Sequence, residues 1–392
     1  MSSFRLLDLP AELIGQIVED AVPTAMGSRK EYSERCRTLL AVILTSKRLH
    51  AVALPLLYRV LRVTNSRFGP IMAACRGADT PTYPSVKTLV CDGEGFGGLA
   101  VDILSFAFAA APAVSDVRLY RCDAFALVEL QTLSGLTSLT LHNTISSTAL
   151  RPQYRQPLCL PHVVDLSLNY FYFTKSTCTA FLSSATFPSL QHLALGRIEL
   201  ATGTAQSPIS ITEEVAPLIN PALLAQLRTL RCWHASHPSD FPFPDTLQVL
   251  HNASVGLSER GQPLYASLPL SPHIALLLRG KALPNPGASR DRNRLVNAKG
   301  ALEQMAASLS RVADAAKPPL KLVLLESELL AKNDVLADKK ALAELKLAVD
   351  GFLAACKAAG VEVLIENAPQ YGFESLISKR FIRWCNEKEW SQ

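Results

Sequence analysis

The sequence predicts an α/β chain, a short three-helix module followed by an irregular repeating solenoid with a curved parallel sheet. Three observations carry that prediction. The first sixty residues place apolar side chains at helical spacing in three short runs. Beyond Arg62 the pattern L-x-x-L-x-L recurs in degraded form. At 392 residues the chain also exceeds one ordinary core, which favours a small module joined to a larger domain or a stack of repeats.

Pro10 opens the first helix, where its missing N–H is no loss, and Leu13, Ile14, Ile17, Val18 and Ala21 then share one face. A polar insert follows Pro23 to about Glu34. Cys36, Leu39, Leu40, Ile43 and Leu44 form a second apolar set. Thr45-Ser46 offers a cap for a third helix carrying Leu49, Val52, Ala53, Leu56 and Leu57. At roughly 1.5 to 3 kcal/mol per buried aliphatic side chain, so small a bundle gains from a neighbour that covers its remaining apolar surface. This module occupies residues 1–64, with a connecting helix or linker over 65–83 and the solenoid over 84–392.

The repeat pattern is clearest at Leu136-Thr-Ser-Leu139-Thr-Leu141, Val163-Val-Asp-Leu166-Ser-Leu168 and Leu190-Gln-His-Leu193-Ala-Leu195. Weaker copies begin at Val86, Val114, Leu227, Leu247, Ile274, Leu320 and Val361. Most intervals fall within the roughly 20 to 29 residues of leucine-rich repeats, whose units cannot bury their apolar face until they stack. The copies at Leu247, Ile274 and Val361 put Asn252, Arg279 and Glu366 at the third apolar position, and only Cys122 fills the Asn/Cys turn position. Uneven curvature is expected. Strand alternation points the residues between the repeat leucines to a concave face: Asp116, Arg118, Tyr120, Thr140, His142, Asp165, Ser167, Asn169, His192, Arg231, Trp233 and His251. That polar face with isolated aromatics suits a protein surface, and Arg118, Tyr120, His142, Asn169, His192, Arg231, Trp233 and His251 are the candidate target-binding residues. In the last three copies Leu276 and Leu278, Leu322 and Leu324, and Val363 and Ile365 are apolar where earlier repeats are polar, as in a sheet covered on both faces. An amphipathic helix over 373–390, with Phe373, Leu376, Ile377, Phe381 and Trp384, is expected to fold back over them. Residues 201–220 and 281–294 read as inserted loops, the second running into a basic stretch of Arg290, Arg292, Arg294 and Lys299.

The N-terminal order Leu9-Pro10-Ala-Glu-Leu13-Ile14-Gly-Gln-Ile17-Val18, then Leu39 to Leu44, then Ser46-Lys-Arg-Leu49 to Pro55-Leu-Leu-Tyr58, resembles an F-box. The resemblance covers about residues 4–62 and implies docking onto the linker subunit of a cullin-type (SCF) ubiquitin ligase. It assigns that contact to Leu9, Pro10, Leu13, Ile14, Ile17 and Val18, with Leu40, Val42 and Leu44. The insert after Pro23 is longer than the family's usual connection, which leaves the register of the second helix open. The solenoid would then hold an unknown target protein, and the chain would not itself be an enzyme. Two alternatives stand beside this reading: a repeat scaffold whose helical N-terminus only caps the first repeat, and a nucleotide-binding enzyme.

With 48% hydrophobic and 19% charged residues the chain is globular rather than disordered. Its formal charge of +5 is spread over many segments, which gives no reason to expect a nucleic-acid partner. Asp8 and Pro10 interrupt any signal peptide, and the most apolar window, Ile103 to Ser115, is too short for a membrane span. Nine cysteines without paired spacing fit a reducing cytoplasm or nucleus, where the Asn252-Ala-Ser254 sequon has no meaning.

Four constellations that carry chemistry elsewhere read as structural here, and no cofactor or metal is implied. Gly93-Glu-Gly95-Phe-Gly-Gly98 matches G-x-G-x-x-G between a strand and a helix. Asp92 and Glu94 would set two carboxylates against a pyrophosphate, so a repeat turn explains it better. Cys232, His234 and His237 lack a fourth ligand for zinc. His142 and His192 appear at equivalent concave positions with no nucleophile at a recognised spacing. Glu326 and Glu328 share a strand face as paired acids would, but fit a solvated strand end.

Overall fold

A computed structural model of the chain describes residues 8–22, 29–64, 66, 83–93, 99, 101–122, 127–143, 158–169, 171–173, 175–196, 198–201, 208–211, 219–232, 246–247, 249–252, 271–278, 290–311, 320–326 and 339–366. They mix helix with parallel strand, and they fall into two compact units, one within Met1–Leu158 and one within Cys159–Ala368.

The first unit begins with α1 (Ala11–Ala21), α2 (Arg29–Ile43) and α3 (Lys47–Tyr58). Pro10 precedes α1 with extended ψ, and its carbonyl accepts the first helical hydrogen bond from the Ile14 N–H at 3.1 Å. Ser46 caps α3 by accepting from the Leu49 N–H at 3.1 Å, which satisfies one of the orphan donors of the first turn. Ile14, Val18, Val22, Leu39, Ile43 and Ala53 form the shared core, with Leu9, Val42, Leu49 and Val52 packed around it. Two polar ties fasten the helices. Arg48 Nη2 donates to the Leu9 carbonyl at 2.6 Å, and Arg59 pairs with Glu19 at 2.8 Å.

Four parallel strands follow, β1 (Val60–Thr64), β2 (Thr88–Asp92), β3 (Asp116–Tyr120) and β4 (Ser138–His142), each paired with the next. Strand β1 was not foreseen, because it lies before the first recognisable repeat. Alternation sorts the residues as strand geometry requires. Leu89 and Cys91, Val117 and Leu119, and Leu139 and Leu141 are buried on one face, and α4 (Val101–Ala110) contributes buried Leu104, Ala107 and Phe108. The other face carries the rungs Arg62–Val90–Arg118–Thr140 and Thr64–Asp92–Tyr120–His142. Tyr32 of α2 packs there against Val60 and Val90, so the helical module touches the first two strands directly.

Strand entries share one device. The Arg59 carbonyl accepts from the N–H groups of Lys87 and Thr88, that of Lys87 from Ser115 and Asp116, and that of Ser115 from Thr137 and Ser138. A backbone ladder thus does what turn asparagines do in regular repeats. Cys122 adds one side-chain version, its Sγ donating to the carbonyls of Tyr120 and Cys91 at 3.4 and 3.6 Å.

The second unit holds seven parallel strands: β5 (Asp165–Asn169), β7 (His192–Leu195), β10 (Thr229–Cys232), β11 (Val249–Asn252), β12 (Ser271–Leu278), β13 (Leu320–Glu326) and β14 (Glu362–Glu366). A separate small sheet joins β6 (Phe171–Phe173), β8 (Ile198–Ala201) and β9 (Pro208–Ile211), with β9 antiparallel to β8. Part of the expected loop over 201–220 is therefore strand. Short helices α5 (Lys175–Phe181) and α6 (Pro221–Leu224) lie between early strands, and Phe181 meets Phe187 edge-on at 5.2 Å in the core. Later crossovers use long helices, α7 (Arg290–Ser310) and α8 (Lys339–Ala358), which pack on each other through buried Leu302, Met305, Leu309, Leu345, Val349 and Phe352. Helix α7 starts inside the expected loop, so the basic run sits in its first turns.

Register corrects the reading of the last strands. Leu276 pairs with Val323 and Val323 with Val363, while Leu278 pairs with Leu325 and Leu325 with Ile365. These continue the rows of Leu193–Leu230–Leu250 and Leu195–Cys232–Asn252. Repeat copies counted from Ile274 and Val361 are thus one residue out, and such a slip exchanges the two faces of a strand. The row that earlier carries Arg231 and His251 continues as Leu277, Leu324 and Leu364. Leu322 and Leu324 keep their expected row, while Leu277 and Leu364 stand on it in place of Leu276, Leu278, Val363 and Ile365. The expected helix over 373–390 lies outside the described residues.

Candidate functional site

Packing divides the expected docking residues of the helical module into two groups. Ile14 and Val18, expected as contact residues, are buried in the module's own core beneath the exposed side chains. Leu9 and Val42 are half-buried against the same core. Pro10 is exposed, and so are Leu13 (48%), Ile17 (43%), Leu40 (48%) and Leu44 (84%). The division follows from helix geometry. In α1, Ile14 and Val18 repeat at i, i+4 toward the core, and Leu13 and Ile17 repeat one position earlier toward solvent. In α2 the inward pair is Leu39 and Ile43; the outward pair, Leu40 and Leu44, runs one residue past the helix end. Four large aliphatic side chains flanking one small core and covered by nothing among the described residues are the usual mark of a protein-docking surface.

The polar face of the first unit is the second candidate region. Arg118 is half-buried and donates through Nε and Nη2 to Asp116 Oδ2 at 3.0 and 2.9 Å. Tyr120 and His142 stack obliquely on adjacent strands with ring centroids 5.6 Å apart. Burial, with the positive charge of Arg121 as a second cause, holds the His142 imidazole below its usual pKa. Between them and β1 lies a cluster that the sequence reading missed. Asp92 accepts from Arg62 Nη2 through one carboxylate oxygen and from Arg121 Nε and Nη2 through the other, at 2.5, 3.1 and 2.5 Å. Arg62 and Asp92 are almost fully buried, while the Arg121 side chain is 42% exposed. Two guanidinium groups share one carboxylate, and Arg62 Nε and Nη1 are buried without a hydrogen-bond partner. A buried cation so incompletely matched costs several kcal/mol and calls for an explanation. The available signal was a charged residue inside an apolar strand, as in Leu61-Arg62-Val63.

Arg121 adds a second irregularity. It and Asn143, each the residue after a strand, have φ of 54° and 51° in the left-handed region that non-glycine residues rarely adopt. The Arg121 N–H donates to the His142 carbonyl at 2.8 Å, which fixes this turn.

In the second unit His192 Nδ1 lies 2.9 Å from Thr229 Oγ1, and Asn169 packs against Gly196, where an added Cβ would fall 2.2 Å from Asn169 Oδ1. His142 and His192 are not equivalent: His142 ends its strand, whereas His192 begins its own. Arg231 and His251 occupy one rung of β10 and β11. Trp233 lies outside the described residues, as do His234, His237 and residues 94–98 of the glycine-rich turn. The electrostatic objection to an anion near that turn is reduced to Glu94, because Asp92 is paired by two arginines. Strand order still opposes a dinucleotide site, since β1 to β4 pair in strict sequence and leave no reversal point of the kind that makes a crevice in doubly wound sheets.

A cleft of about 300 Å³ between α7 and α8 is lined by Lys299, Glu303, Glu344 and Leu347, and Lys299 pairs with Glu344 at 3.0 Å. Among the described residues no group of three or more His, Cys, Asp or Glu side chains could hold a metal, and no helix is long and apolar enough to cross a membrane. No family model matches the chain, and no curated protein matches it.

Proposed function

We propose that this chain is the substrate-recognition adaptor of an SCF-type ubiquitin ligase, with an F-box at residues 1–64 and a leucine-rich-repeat solenoid behind it. The observation that carries the reading is the exposed set Leu13, Ile17, Leu40 and Leu44 over a core of Ile14, Val18, Leu39 and Ile43. In-sequence pairing of parallel strands within each unit, β1 to β4 in the first and β5, β7, β10 and β11 in the second, supports the repeat half. From β12 onward the crossover helices of 21 and 20 residues are longer than that repeat period allows, and the solenoid ends in ordinary α/β units. The mechanism is proximity. A target held on the polar sheet face, while the F-box grips the linker subunit, gains effective concentration near the ubiquitin-charged enzyme. The chain itself is no enzyme and takes no cofactor in this reading, and it works in the cytoplasm or nucleus without nucleic acid or membrane.

Leu13→Ala with Ile17→Ala tests it. Both side chains point outward, so stability should stay within about 0.5 kcal/mol while linker affinity falls by about 2 kcal/mol or more, roughly thirtyfold. Undiminished co-purification of the linker with a folded double variant refutes the reading. A second reading, in which the module is only a cap, draws support from the packing of Tyr32 on Val60 and Val90. It expects no linker binding by the unaltered chain.

A further inference from the structure

We propose that the Arg62–Asp92–Arg121 cluster, beside Tyr120 and His142, is a recognition site for an anionic oxygen group, a carboxylate or a phosphate, carried by a protein segment. The inference deepens the target-recognition half of the proposed function by naming the chemistry of the target. It rests on four observations. Asp92 is shared by two arginines, so among the described residues the cluster carries one positive charge beyond what its carboxylate balances. Asp116 does not restore the balance, because its Oδ2 is engaged by Arg118. Arg62 Nε and Nη1 are buried donors with no acceptor. Arg121 spends Nε and Nη2 on Asp92, its Nη1 makes no hydrogen bond among the described residues, and its side chain is partly open to solvent.

These features assign distinct roles. Arg121 is the contact residue, held in one orientation by Asp92 and by a left-handed turn tied to the His142 carbonyl. Arg62 lies beneath and supplies charge that solvent cannot screen. Tyr120 and His142 offer ring faces next to the anion, and His142 is neutral there at neutral pH. A protein segment suits this place better than a nucleotide, because sequentially paired strands leave no switch-point crevice to enclose a base.

The test titrates the full chain with a Gly/Ser peptide carrying four glutamates, with its phosphoserine counterpart, and with a glutamine control. One or both anionic peptides should bind and the control should not; which of the two binds tells carboxylate from phosphate. Added salt should weaken binding, and Arg121→Gln should weaken it at least roughly tenfold, the loss of a charge-assisted hydrogen bond, with Arg121→Lys in between. In the unaltered chain, whatever the variants do, whichever anionic peptide binds should shift the His142 ring resonances. Equal binding of the glutamine peptide, binding of neither anionic peptide, unchanged affinity in folded Arg121→Gln, unmoved His142 resonances, or binding of NAD or ATP alone overturns the inference. Linker co-purification with the same unaltered chain reports separately: linker without acid removes only this site, and acid without linker removes only the docking reading.

Discussion

Asp92 shows how one side chain can organise a surface. It is the last residue of β2, buried, and its two oxygens hold Arg62 on the preceding strand and Arg121 after the following one. The influence reaches His142, whose imidazole is pushed below its usual pKa first by burial and then by Arg121, with Asp92 opposing. Folding therefore disfavours the imidazolium. As pH falls below about 6.5 the unfolded chain takes up this proton before the native one does, so the stability His142 contributes is full above that point and is lost as pH falls through the native pKa. The expected result is a difference in urea midpoint between the native chain and His142→Gln that is constant near pH 8 and drifts in the variant's favour toward about pH 5. A difference independent of pH would refute the shift. Burial also raises the thiols of Cys122, Cys178 and Cys356 to about 12, in keeping with small buried hydrophobes.

Element by element, legibility followed the strength of the local signal. Helix α3 was readable because Ser46, an oxygen-bearing cap, stands directly before an apolar run, and the side chain accepts from Leu49 as caps do. Ser46→Ala should accordingly cost about 1 kcal/mol, seen as a lower urea midpoint with an unchanged slope. A change in slope as well would mean that the cap also shapes the unfolded state. Strands β2 to β5, β7, β10 and β11 were legible because paired leucines frame a polar position on a half-polar sheet. In the centres of β12 to β14 that contrast disappears, residues 274–278, 322–325 and 363–365 are all apolar, and a one-residue slip leaves the pattern unchanged; only pairing partners fix the register. The expected docking residues divided for a related reason. Sequence identifies an apolar helix in α1 but does not say which of Leu13, Ile14, Ile17 and Val18 face α3, because the apolar arc is wider than the core it covers. The arginine cluster was illegible because Arg62 and Arg121 flank Asp92 only once three strands are aligned.

At the scale of the whole molecule, the two compact units share one construction rule, in which each strand of the parallel rows pairs with its neighbours in sequence. Contacts of that kind are short in sequence, and stability becomes a sum of intrinsic unit terms and nearest-neighbour interfaces. Damage should then stay local. Leu89 is fully buried at the centre of the first unit, between Leu61 of β1 and Val117 of β3. Leu89→Ala removes its packing and leaves a cavity, a loss of about 3 kcal/mol. Native-state hydrogen exchange reads where that loss is felt. The expected outcome is faster exchange of the amides of β1 to β4, with the amides of β7 and β10 in the second unit keeping their protection. Equal acceleration in both would mean that the chain unfolds as a single cooperative block, and additive nearest-neighbour stability would be the wrong description. If damage is local, a ligand bound at the proposed site on the first unit would order β1 to β4 without drawing on the stability of the second.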